Sequence, residues 1–165
     1  MATRFTLEHE IPTDPDTFWK TFFDREYNLA LYLQELAFPA FEIVEQRDTA
    51  TGLHRKVAAT PKTELPAAVA KLIGPNLRYT EEGDFDRAKG TFVWVMKTSA
   101  LTEKLKNGGT LRVEARGAGK VARIVEAYSE ASVFGVGGLL ESSTEKQVRE
   151  GWEKSAGFMR RWLSR

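Results

Sequence analysis

The sequence contains no cysteine and only two histidines among its 165 residues. Without cysteine there are no disulfide bonds, thiolate nucleophiles or cysteine-ligated metals, so packing alone must stabilise the fold. The absence of cysteine is also compatible with a protein that resides in a reducing compartment. His9 and His54 fall on different predicted strands, and no HExxH spacing occurs. The sequence therefore predicts neither a metal site nor metal catalysis.

The sequence also lacks an excess of charge and any long apolar run. Its formal net charge of +1 gives no electrostatic bias toward nucleic acid or an anionic membrane. No run approaches the roughly 20 apolar residues of a membrane span. Charges within residues 2–10 interrupt what would be the apolar core of a signal peptide. We therefore expect residues 1–165 to form one domain that resides in the cytoplasm.

Nucleotide-binding motifs are missing as well. The cluster of Gly135, Gly137 and Gly138 has Leu140 where the dinucleotide fingerprint requires its third glycine. A close-packed junction explains these glycines better than a phosphate site. No cofactor is expected.

What the sequence does have is a clear succession of periodic segments. Alternating or apolar segments bounded by turn residues predict strands, and capped segments with helical periodicity predict helices. The expected order is one strand, two short helices, about six antiparallel strands and one long helix. The predicted strands are 3–11, 41–48, 53–60, 77–85, 90–98, 110–116 and 120–133, with turns that include 107–109. The predicted helices are 15–23, 25–36 and 135–163, and residues 65–73 form either a short helix or an ordered Ω-like excursion.

The long terminal helix carries an unusual apolar stripe. At 100° per residue, one side presents Leu140, Thr144, Val148, Gly151, Trp152, Ser155, Phe158, Met159 and Trp162. The two ends of this stripe are bulky, but its middle contains Thr144, Gly151 and Ser155. Because glycine inside a helix costs roughly 1 kcal/mol relative to alanine, something must compensate. Either a sheet approaches closely there, or a void beneath the helix holds a guest molecule.

Two motifs make the chain resemble a known superfamily. One is the strand that runs into a capped helix start, from Phe5 to Trp19, and the other is the small-residue junction from Val133 to Glu141, with the sequence VFGVGGLLE. In this order they resemble the START-like, or SRPBCC, superfamily of pollen-allergen-like proteins, and an uncharacterised bacterial branch in particular. The resemblance implies an α+β helix-grip fold, in which a curved antiparallel sheet of about seven strands wraps around the C-terminal helix. It also implies an elongated apolar cavity. The superfamily shares no universal catalytic residues, so none is transferred to this chain.

Strand parity and the helical stripe suggest which side chains face such a cavity. The candidate lining residues are Tyr79, Phe92, Trp94, Met96, Leu111, Val113, Val148, Ser155 and Met159. His9, Glu81 and Arg123 share parity with inward apolar neighbours and are candidate polar contacts. Glu141 is expected to anchor the strand-to-helix turn through backbone amides at the helix N-terminus.

Three functions remain open at this point. The leading hypothesis is binding or transport of a lipid or other hydrophobic small molecule without chemical change. The alternative is a cyclase or dehydratase that acts on an aromatic or polyketide-like substrate through His9, Glu81 or Arg123. The third is a protein-interaction domain with a filled core.

The aromatic cluster of the first predicted helix bears on membrane contact. It consists of Phe18, Trp19, Phe22 and Phe23. Few basic residues surround it, so stable membrane insertion is not expected, while transient contact stays open. Packing against the terminal helix is the favoured interpretation. Nucleic acid is not an expected partner.

Overall fold

In the computed structural model, which describes residues 2–62, 64–74 and 76–165, the chain forms seven strands and four α-helices. The strands are β1 (Ala2–Ile11), β2 (Ala40–Asp48), β3 (Gly52–Thr60), β4 (Tyr79–Asp86), β5 (Thr91–Thr98), β6 (Leu105–Ala115) and β7 (Val121–Ala131). The helices are α1 (Pro15–Phe22), α2 (Arg25–Ala30), α3 (Ala67–Ile73) and α4 (Gly137–Leu163), and a π-helical turn, Leu31–Glu35, continues α2.

The strands form one antiparallel sheet in the order β1-β7-β6-β5-β4-β3-β2. α1 and α2 connect the two edge strands, β1 and β2, and α4 packs mainly against β1 and β7. Side chains alternate across β5, where Phe92 and Trp94 are buried while Val93 and Val95 are about half exposed. The sheet thus has one covered face and one solvated face. The predicted α+β helix-grip fold, a curved seven-stranded sheet around a long C-terminal helix, is confirmed.

The first two helices begin where aspartates cap them. Asp14 Oδ1 accepts a hydrogen bond from the Thr17 amide at 2.9 Å, and Asp24 Oδ2 accepts one from the Tyr27 amide at 2.8 Å. Each bond satisfies an amide that has no partner within the helix. Pro15 occupies a first-turn position, where a missing N–H costs nothing. Both helix starts agree with the sequence prediction.

The predicted turn at residues 107–109 is wrong, because Asn107, Gly108 and Gly109 lie inside β6. A Cβ on Gly109 would lie only 2.5 Å from the Glu126 carbonyl oxygen and 2.7 Å from the Trp94 ring. Glycine is therefore present because a bulky neighbour crosses the strand, not because the chain turns. The chain reverses earlier, between the end of β5 and Leu105.

The aromatic cluster of α1 packs against aromatic side chains of the sheet and shares one core with α4. The ring centroids of Trp19 and Phe85 are 4.4 Å apart, and those of Phe22 and Phe92 are 5.6 Å apart. In the same core, Tyr27 of α2 lies against Phe158 and Trp162 of α4.

Glu141 joins the start of α4 to the ends of two strands. One carboxylate oxygen accepts the Ala131 amide of β7 at 3.0 Å, and the other accepts the Thr3 hydroxyl of β1 at 2.8 Å. The predicted anchoring role agrees with this geometry, although the donors are not the helix amides that were expected. Burial acts to raise the pKa of Glu141, but the two hydrogen bonds outweigh it and hold the pKa below its ordinary value.

Candidate functional site

A cavity of about 210 Å³ lies between the concave face of the sheet and α4. Because one water needs about 10–15 Å³, this volume could hold on the order of 15 waters or one organic molecule of moderate size. Its wall is mostly apolar and includes Phe5, Leu31, Tyr32, Leu36, Phe38, Leu65, Ile73, Leu77, Phe92, Trp94, Met96, Leu105, Ala127, Leu140, Val148 and Trp152. The last turns of the α2 segment and the residues flanking α3 border it.

The middle of α4 forms the wall on the helical side. Thr144, Val148, Gly151 and Ser155 all line the cavity. Apart from its own helix backbone, no heavy atom of the described residues would lie within 4 Å of a Cβ added to Gly151, so no strand of the sheet approaches the helix at this glycine. Of the two explanations for the small residues in the stripe, the structure therefore shows the void.

The predicted lining residues divide into two groups. Those that lie in the cavity wall are Tyr79, Phe92, Trp94, Met96, Val148 and Ser155. Leu111, Val113 and Met159 do not line the cavity. Leu111 and Met159 are almost fully buried in the core, and Val113 packs against that core. Strand and helix parity placed them on the inward face correctly, but neighbouring side chains fill the space in front of them.

One polar group of the wall centres on Glu81 and a residue that the sequence analysis missed, Arg55. Arg55 Nη2 donates to Glu81 Oε1 at 3.4 Å, and its guanidinium carbon lies 4.8 Å from the Phe22 ring centroid. Asn28 and Tyr79 also face this part of the cavity. Burial raises the pKa of Glu81, and the nearby guanidinium only partly offsets this. The group places a carboxyl with a raised pKa within a largely apolar space.

The second polar group centres on Arg123, the largest fully buried side chain, which is 1% exposed. Its Nη1 donates to Ser155 Oγ at 2.9 Å, and its Nη2 donates to the Trp152 carbonyl oxygen at 2.6 Å. The guanidinium carbon lies 4.9 Å from the centroid of the Trp152 ring. Burial lowers the pKa of Arg123 to about 10, so the side chain stays protonated at neutral pH. Glu81 and Arg123 both line the cavity but do not pair with each other.

His9 lies behind Arg123 rather than in the cavity wall. Its Nδ1 accepts from Arg123 Nη2 at 3.0 Å, which assigns the proton of the neutral ring to Nε2. Burial lowers the pKa of His9, and the charges of Arg123 and Arg160 lower it further against the opposing effect of Glu153. His9 is therefore uncharged at neutral pH and holds Arg123 in place instead of reaching the cavity.

His54 lies on the other face of the sheet, away from His9. Its Nδ1 is 2.7 Å from Asp84 Oδ1 and its Nε2 is 2.9 Å from Glu82 Oε2. The hydrogen bond with Asp84 is the largest of the effects that raise its pKa. His54 thus belongs to a surface charge cluster and has no part in the cavity.

A sequence signal for Arg55 existed, but none did for Asn28. Arg55 shares strand parity with Leu53 and Val57, and Val57 is 1% exposed. The same alternation that placed Arg123 could therefore have placed Arg55. Asn28 lies in a helix of only six residues, where a polar residue is usually exposed.

Across residues 2–62, 64–74 and 76–165, no three acidic or histidine side chains are placed to hold a metal ion. In the same part of the chain, every helix is too short or too polar to cross a bilayer.

Solved structures with the same fold are numerous, and three illustrate their range. They are the Zhui aromatase/cyclase from Streptomyces sp. R1128 (13% identity, TM-score 0.70, covering 99% of this chain and 96% of that one), norcoclaurine synthase from Thalictrum flavum (15%, 0.67, 99% and 87%) and a START superfamily protein from Mycobacterium smegmatis (10%, 0.65, 96% and 98%). At these identities the likeness concerns the fold alone.

Sequence comparison gives the family directly. No curated protein matches the chain. A family model described as a protein of unknown function (DUF2505) matches residues 6–163, nearly the whole chain. The chain therefore belongs to the DUF2505 family, and it has the fold of the START-like (SRPBCC) superfamily.

Proposed function

We propose that this protein binds a mostly apolar small molecule, of lipid or aromatic type, in the cavity beneath α4. The single observation that carries the proposal is the void of about 210 Å³ at Gly151, lined mainly by apolar side chains. Binding sites for small molecules have this character: largely apolar walls with a few polar groups that orient the ligand. Glycine inside a helix lowers stability relative to alanine, so the stability of the ligand-free protein does not explain why α4 has glycine at position 151, beside the cavity.

The apolar wall can supply the driving force for such binding. A ligand that loses about 200 Å² of apolar surface to the cavity gains roughly 5 kcal/mol, before the cost of association is subtracted. Polar contacts would add to this and select the ligand. The void also argues against the filled-core interaction domain, since that function needs no internal space.

Two segments border the cavity and are placed to control access to it. The π-helical turn after α2 contributes Leu31 and Tyr32 to the wall, and α3 with the residue that precedes Pro66 contributes Ile73 and Leu65. We propose that one of these two segments opens to admit the ligand. We also propose a cytoplasmic location, which the cysteine-free sequence suits.

Native mass spectrometry of the purified protein, followed by organic extraction, tests the proposal. We expect a reproducible added mass of lipid or aromatic size that extraction removes. The Gly151→Leu variant is the matched control, because its new side chain would occupy the cavity and reduce the bound fraction. Ligand-free protein from several hosts, together with no thermal shift across a panel of lipids and aromatic compounds, would contradict the proposal.

A cyclase or dehydratase remains the second candidate function, favoured by one observation. Glu81 places a carboxyl with a raised pKa in the cavity wall beside Arg55, so two ionisable groups face the same space. Such a carboxyl is suited to act as a general acid or base on a bound substrate. If the protein is an enzyme of this kind, Glu81→Gln abolishes product formation from a poly-β-ketone substrate while ligand binding persists. Unchanged turnover in this variant would exclude the role.

A further inference from the structure

The cavity wall carries an imbalance of charge. Among the described lining residues, the charged side chains are Arg55, Glu81 and Arg123. Glu81 lies 3.4 Å from Arg55, so the carboxylate of this wall is already engaged. Even with Glu81 ionised, one positive charge is left over, and it belongs to Arg123. Protonation of Glu81, which burial favours, would only increase the excess.

Every hydrogen-bond acceptor around Arg123 is uncharged. These acceptors are the Ser155 hydroxyl, the Trp152 carbonyl oxygen and the His9 ring. Arg123 takes part in no ion pair within the described part of the chain, and its Nε has no hydrogen-bond partner there. A buried guanidinium without a carboxylate is costly, because it has lost its hydration and gained no opposite charge.

The contacts to α4 do not by themselves explain an arginine at this position. Tying β7 to the Trp152 carbonyl and Ser155 requires hydrogen-bond donors but no net charge. The Trp152 ring, 4.9 Å from the guanidinium carbon, favours a cation but does not neutralise it. Arginine differs from a neutral donor in its permanent charge and in the fork formed by Nε and the Nη groups, which matches a carboxylate. Part of that fork, Nε, is unused in the structure.

We propose that Arg123 anchors the anionic head group of the ligand, and that the cavity takes an amphipathic monoanion: a carboxylate attached to an apolar body. This inference rests on the proposed binding function and specifies its ligand class. The carboxylate would complete the shell around Arg123 after a side-chain shift that uncovers Nε, which neighbouring atoms cover in the structure. The apolar body would lie against Trp94, Trp152 and Val148. A phosphate dianion fits less well, since it favours several cations and Arg55 already faces Glu81.

The proposed anionic head group is tested by measuring the affinities of the protein for decanoate and decanol, a matched acid and alcohol, at pH 7.5. Calorimetry or the fluorescence of the lining tryptophans gives these affinities. The two probes share an apolar chain and differ in the charged head group. We expect the wild-type protein to bind decanoate at least about tenfold more tightly than decanol, as a charge-assisted hydrogen bond in a buried site should give. Arg123→Gln should lose this preference and leave decanol binding within about twofold. Arg112→Gln, which removes the same charge from a partly exposed pair with Glu126, should keep it.

The outcomes separate this inference from the proposed function. Equal affinity of the wild-type protein for both probes overturns the anionic head group but leaves apolar binding standing. Binding of neither probe overturns both. A preference for decanoate that survives in Arg123→Gln overturns the role of Arg123. If that variant does not fold, Arg123→Lys, which keeps the charge without the fork, takes its place: selectively weaker decanoate binding supports the inference, and an unchanged preference contradicts it.

Discussion

The prediction that tests most of the molecule at once concerns Gly151. This residue lies inside α4 and lines the cavity, and a Cβ there would have open space around it. Gly151→Ala should therefore gain the full helix-propensity difference, about 1 kcal/mol, with no steric penalty. For a domain of this size the gain corresponds to a rise in Tm of roughly 2–4 °C.

A larger side chain at Gly151 should separate stability from binding. Gly151→Leu keeps most of the helix-propensity gain but places four carbon atoms in the space that a ligand would use. Exclusion of about two ligand methylene groups would cost about 1.6 kcal/mol of binding free energy, or roughly fifteenfold in affinity. Stability should thus rise while affinity falls, as in sites where function and stability compete.

Thermal unfolding and calorimetric titration with decanoate or decanol measure the two effects. Gly157→Ala is the control, since this second glycine of α4 does not line the cavity and its Cβ would make only an ordinary contact with Arg161 at 3.5 Å. It should raise stability by a similar amount and leave affinity unchanged. The reasoning is refuted if Gly151→Ala destabilises the protein, or if Gly151→Leu binds as tightly as the wild type.

Two further predictions concern pH. At pH 7, Glu141→Gln should cost about 1–3 kcal/mol of unfolding free energy, because one of the two donors to the carboxylate loses its acceptor. Since the folded-state pKa of Glu141 is lowered, its contribution is present above the ordinary carboxyl pKa and lost as pH falls through the folded-state value. Denaturant titrations at a series of pH values from 7 downward should show the gap between variant and wild type closing. His9 also has a lowered pKa, so below its ordinary value of 6.5 the unfolded chain binds a proton that the folded protein does not. Wild-type stability should therefore fall as pH drops from 6.5 toward the folded-state pKa, and His9→Asn should flatten this slope; an identical slope in both proteins would show that His9 does not titrate as described.

Most of the fold could be predicted from local patterns. Asp14 and Asp24 cap the helices that they were expected to cap. Of the two structures expected for residues 65–73, the short helix forms, over Ala67–Ile73, and Gly74 with φ 86° ends it. These features depend on neighbouring residues along the chain, so the sequence contains all the information needed. The wrong prediction of a turn at residues 107–109 arose because these glycines depend on residues far away along the chain. Gly108 and Gly109 resemble a turn locally, and the reason for them is Trp94, which lies on another strand.

The candidate site was predictable only in part, for the same reason. Parity identified the inward positions of Glu81 and Arg123, but it could not tell which inward residues border a void and which pack in the core. Leu111 and Val113 share a strand face, and neither lines the cavity. The depth of packing at a position depends on side chains contributed by several strands and by α4 together.

By itself, the sequence determined the order of the elements, their caps and the face of each strand or helix that turns inward, because each follows from residues close together along the chain. Only the tertiary structure decided that Arg55, and not Arg123, lies beside Glu81, that His9 supports Arg123 from behind, and that Gly151 faces open space. These relations join positions up to 114 residues apart, as for His9 and Arg123. Periodicity fixes direction within one element, whereas distances between elements are set by how the curved sheet closes on α4.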